Sequence, residues 1–94
     1  MDKEEARALL ERELARYRSR PYGQLVGMIG DPVGTTVATP SGTEYNLEIE
    51  SCWDDKARGD VRVIAMLDDG GRRSFMSPLC ADFIMRPDGS FVGE

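Results

Sequence analysis

The chain has 94 residues, 40% of them hydrophobic and 31% charged, with a formal net charge of -5 and a pI of about 4.7. That length suits a single domain, 1–94, with one modest core, and the hydrophobic share excludes a disordered chain. Acidity without a Lys/Arg patch argues against nucleic acid as a partner, and no apolar run approaches the roughly 18 residues of a membrane span.

The charge is uneven. Residues 1–20 carry six basic and five acidic side chains, so the acidity belongs to residues 21–94. Asp2 is a good N-cap with Glu5 three residues on, a capping-box arrangement. Ala6, Leu9, Leu10, Leu14 and Tyr17 repeat at helical spacing, and Pro21 stops the helix. Arg16, Arg18 and Arg20 gather at its end, where they match the helix dipole; an anion-binding stripe is the weaker reading. Tyr22–Ile29 reads as a second, short helix with Leu25, Met28 and Ile29 on one face, stopped by Gly30-Asp31-Pro32.

The rest reads as β structure. Thr35–Pro40 is β-prone, and Pro40-Ser41-Gly42 turns it into the next run. Three runs, Thr43–Trp53, Asp60–Leu67 and Arg72–Met76, form an expected antiparallel meander. In the first, Tyr45, Leu47, Ile49, Ser51 and Trp53 alternate with Glu44, Asn46, Glu48, Glu50 and Cys52, so one face packs and the other meets water. Pairing Trp53 with Val61 sets Ile49 against Ala65 and Leu47 against Leu67 on the core face. It also sets Glu50 against Ile64 and Glu48 against Met66 on the other. Asp68-Asp69-Gly70-Gly71 is a hairpin turn, and a three-residue loop there turns Phe75 to the core. Ser77–Asp82 reads as one helical turn with Ser77 capping and Pro78 at its first position. Phe83–Arg86 is a last short strand, Pro87–Ser90 a turn, and Phe91–Glu94 a further β segment. The expected fold is α+β: an N-terminal helix and a short second helix packed on one face of a four- to five-stranded antiparallel sheet.

Several stretches resemble a small family of uncharacterised bacterial proteins. They are Glu48-Ile49-Glu50, Trp53-Asp54-Asp55, Arg62-Val63, Asp68-Asp69-Gly70-Gly71, Ser77-Pro78-Leu79, Asp82-Phe83-Ile84 and the ending Pro87-Asp88-Gly89-Ser90-Phe91-Val92-Gly93-Glu94. The resemblance spans the chain and implies a fold but no activity and no site residues.

Chemistry is limited first by the absence of histidine. Ser-His-Asp and Cys-His pairs, histidine metal sites and histidine bases are excluded. Lys3 and Lys56 lie in polar surroundings. Asp54, Asp55 and Asp60 belong to one end of the central hairpin and Asp68 and Asp69 to the other, roughly 20 Å away at strand rise. No catalytic, cofactor-binding or metal residue is expected. Cys52 and Cys80 read as reduced thiols; the Ser77–Asp82 turn returning to the Asp54–Asp60 end would bring them close and open a redox pairing. The N-terminus carries no signal-peptide pattern, and a cytoplasmic location is the expectation.

Ile64 and Met66 are the anomaly, because they alternate onto the face of Glu48 and Glu50. Cover by a helix or by the C-terminal segment is the favoured expectation, a contact patch the other. These four residues are the candidate interaction surface. The expected function is a non-catalytic binding or interaction domain, its partner a second copy paired through the sheet face or an edge strand, or another protein. The alternative is a small enzyme with an Asp or Glu base and Arg62, Arg72 or Arg73 as an anion clamp.

Overall fold

The computed structural model describes residues 2–70 and 78–94. Helix α1 (Lys3–Arg18) starts at Asp2, whose Oδ1 accepts the Glu5 N–H at 3.1 Å. The reciprocal half of a capping box does not form. The Glu5 carboxylate instead reaches residues 39–45, where Oε1 accepts hydroxyls from Thr39 (2.9 Å), Ser41 (3.0 Å) and Tyr45 (3.1 Å). Three donors from a strand pair thereby hold the first helical turn against the sheet. The helix buries Ala6, Leu9, Leu10 and Leu14 and ends three residues before Pro21.

The arginines at the end of α1 have partners. Arg16 pairs with Glu13, and the Arg20 guanidinium lies 4.4 Å from the Tyr17 ring centroid. Arg18 lies over the Phe83 and Phe91 rings (5.2 and 5.0 Å) and pairs with Glu94 at 2.6 Å. Phe83 and Phe91 meet edge to face, so this cation–π pair staples the C-terminal segment to the helix.

Helix α2 (Tyr22–Gly27) is shorter than expected, because Ile29 leaves it to bridge Ser51 in parallel. It buries Leu25, and Tyr22 donates to the Gly59 carbonyl at 2.7 Å. Four strands follow in one antiparallel sheet of order β1-β2-β3-β4: β1 (Val33–Ala38), β2 (Glu44–Trp53), β3 (Val61–Asp68) and β4 (Leu79–Met85). The β1–β2 turn is a three-residue loop. Thr39 and Gly42 donate backbone N–H groups to the Thr43 and Thr39 carbonyls, and Gly42 takes φ +89°, which only glycine adopts freely.

The β2–β3 register is the expected one: Trp53 opposes Val61, Ile49 Ala65, Leu47 Leu67, Glu50 Ile64 and Glu48 Met66. The partner on the other side of β3 differs. It is β4, with Leu67 opposite Leu79 and Val61 opposite Met85. Leu79–Asp82 is therefore strand and not helical turn, and the short strand expected over Phe83–Arg86 is the end of a longer one. The Arg72–Met76 run, the orientation of Phe75 and the Ser77 cap lie outside the described residues. Beyond β4, Phe91 makes a single bridge to Met85.

One face of the sheet forms the core with the helices. Tyr45, Leu47, Ile49, Val61, Val63, Ala65, Leu67, Phe83 and Met85 pack with the buried residues of α1 and with Leu25. Burying each large apolar side chain stabilises by roughly 1.5–3 kcal/mol before chain entropy is set against it. Ala65 and Ala81 share a row on the strands α1 packs against, and small side chains there let the helix approach.

Candidate functional site: the outer face of the sheet

Strict alternation sends every second residue of each strand away from the helices. The registers arrange these residues in rows. Gly34, Glu48, Met66 and Cys80 form one. Glu50, Ile64 and Asp82 form the next, and Cys52, Arg62 and Ile84 a third. Thr36, Asn46 and Asp68 lie at the other end. The four residues expected to make an interaction surface are thus brought together as two cross-strand pairs.

The centre of this face is apolar. Ile64, Met66 and Ile84 are half-buried by their neighbours, and none belongs to the core. The cover expected over Ile64 and Met66 is not found among the described residues: both helices and Phe91 pack on the opposite face. Carboxylates surround the centre, with Glu48 and Glu50 on β2 and Asp82 on β4. Asp68 binds the Asn46 amide at 3.0 Å. A shallow depression of about 540 Å³ opens between Gly34, Thr36, Asn46, Glu48, Met66 and Pro78.

Arg62 is the cation of the face among its described residues, and it is occupied. Its Nε and Nη2 donate to Asp54 Oδ1 (3.1 and 2.8 Å), and Nη1 donates to Asp82 Oδ2 (2.9 Å). The hydrogen bonds to Asp54 hold its pKa above the ordinary guanidinium value, and the Asp82 charge adds to this. A guanidinium bridging two carboxylates does not present a free fork to a substrate anion. Arg72 and Arg73 lie outside the described residues.

The aspartates of the two turns stand at opposite ends of the β2–β3 hairpin, as the sequence indicates. Cys52 and Cys80 are free thiols and are not neighbours. Cys52 lies opposite Arg62, and Cys80 lies opposite Met66, two strands away and four residues along the register. At ordinary strand spacing and rise that is roughly 16 Å, beyond the reach of a disulfide. The expected return of Cys80 to the Asp54 end fails because β4 begins at Leu79, opposite the far end of β3.

Asp82 and Ile84 also belong to the face, and sequence reasoning missed both. A signal was present: Leu79, Ala81, Phe83 and Met85 alternate with Cys80, Asp82 and Ile84. Ser77-Pro78 points to a helix start instead, although proline is equally at home just before a strand.

Comparison of the chain with protein-family models, with curated proteins and with solved structures finds no match. No described helix is long and apolar enough to cross a membrane.

Proposed function

We propose that the protein is a non-catalytic binding domain whose outer sheet face receives another protein, one presenting apolar side chains within a basic rim. The observation that carries this reading is the patch of Ile64, Met66 and Ile84 on a face outside the core, ringed by Glu48, Glu50 and Asp82. Apolar burial supplies affinity at the centre of such an interface, and opposite charge at the rim supplies orientation and speed of encounter. The depression beside Met66 offers room for an anchoring side chain of the partner. A second copy seated on this same face would set carboxylates against carboxylates, so charge favours a different, basic protein. A reducing compartment, the cytoplasm in the first place, suits two separate free thiols.

The test is affinity capture by the wild-type chain beside an Ile64→Lys/Met66→Lys variant. A basic protein retained by the wild type is lost from the variant and is released as salt is raised. Retention of the same partners by both chains, independent of salt, contradicts the reading.

A further inference from the structure

We infer that the protein also associates with itself, two copies pairing their β1 strands antiparallel along the open edge of the sheet. This stands apart from the outer-face reading, because it uses the backbone of an edge.

Natural edge strands are guarded by charges, by prolines within the strand, by bulges or by a covering element. β1 has the sequence Val33-Gly34-Thr35-Thr36-Val37-Ala38, with no charge and no proline; Pro32 and Pro40 lie beyond its ends. Val33, Gly34, Thr35, Thr36 and Ala38 are exposed, Val33 at 41%. Only Val37 leans on the core. The backbone completes the template. The Thr39 N–H binds the Thr43 carbonyl at 2.9 Å, which sets the hydrogen-bonding phase of the β1–β2 ladder. Alternation from there turns Val37, Thr35 and Val33 toward β2, and the N–H and C=O groups of Gly34, Thr36 and Ala38 outward. These groups line the open edge and match their own copy in reverse. Thr36 opposite its symmetry mate sets Gly34 against Ala38 and keeps both faces of the sheet continuous.

Charge selects both the occupant and the place. The chain is acidic at -5, and its outer face repels a second copy. At the β1 edge the meeting strands are neutral. The glutamate rows of the two β2 strands would stand three strand spacings apart, about 14 Å, beyond the screening length of about 8 Å at physiological salt. The opposite edge of the sheet is less suited, because Phe91 and Val92 already bind β4 and Asp82 is exposed beside them.

Light scattering across a concentration series tests this on the full chain. The wild type shows a mass that rises toward twice the monomer value. Thr36→Pro removes one outward N–H and leaves the β2 ladder intact, and Thr36→Lys places like charges across the two-fold axis. Each weakens the dimer at least tenfold while circular dichroism stays that of the wild type. The Lys variant decides the matter if the Pro variant fails to fold. Ile64→Lys/Met66→Lys leaves the dimer unchanged, which separates this inference from the outer-face reading. A wild-type chain that stays monomeric to its solubility limit overturns it. So does a dimer that Thr36→Lys leaves intact or that the outer-face variant dissolves.

Discussion

Ser51 stands on the core face of β2, 2% exposed, and its Oγ has no hydrogen-bond partner among the described residues. A buried hydroxyl without a partner carries its desolvation penalty uncompensated. Ser51→Ala therefore keeps or raises stability, by up to about 1 kcal/mol in denaturant titration. A loss of that size would reveal a bond to Oγ. Tyr45 presents the opposite case, a buried phenol satisfied by the Glu5 carboxylate at 3.1 Å. Burial raises its pKa above the ordinary 10.0, and the hydrogen bond to Glu5 raises it further. The folded chain thus holds the phenolic proton more tightly than the unfolded one. That stabilisation is complete below about pH 10 and is lost as pH rises through the folded value. Tyr45→Phe costs about 1–2 kcal/mol near neutrality. Comparing wild type and variant in alkaline unfolding shows the gap closing above pH 10; a gap independent of pH would contradict the assignment. The position of both residues was legible from alternation in β2. Their different polar fates were not, because Glu5 is distant in sequence and its spacing from Asp2 points to a local cap.

At the scale of elements, legibility tracks the strength of local pattern. The α1 stripe and the β2–β3 register are legible because period and turn chemistry agree, and a slip by one residue would bury Glu48 and Glu50. α2 loses its last two residues to a contact no local pattern encodes, the bridge from Ile29 to Ser51. β4 is hidden in the sequence because Ser-Pro before a short apolar run is compatible with a helix start or a strand start, and only pairing with β3 decides. The consequence reaches the candidate site. With β4 in place, Ile84 joins Ile64 and Met66, Asp82 joins Glu50 across β3, and Arg62 becomes the bridge between Asp54 and Asp82. Cys80 moves away from Cys52 for the same reason.

The whole molecule is a two-layer arrangement with unequal faces. Helices and core occupy one side of the sheet, and the other side carries Ile64, Met66 and Ile84, which lie outside that core. Glu48, Glu50, Ile64 and Met66 were legible as neighbours; that no described element covers them required the fold. The proposed binding role depends on this division of labour, and denaturant unfolding of two variants measures it directly. Ile49→Ala, in the core, loses about 2–5 kcal/mol. Ile64→Lys loses less than about 1 kcal/mol, since its ammonium reaches water between Glu50 and Asp82 on the neighbouring strands. An Ile64→Lys loss equal to that of Ile49→Ala would place Ile64 in a second core and contradict an open binding face.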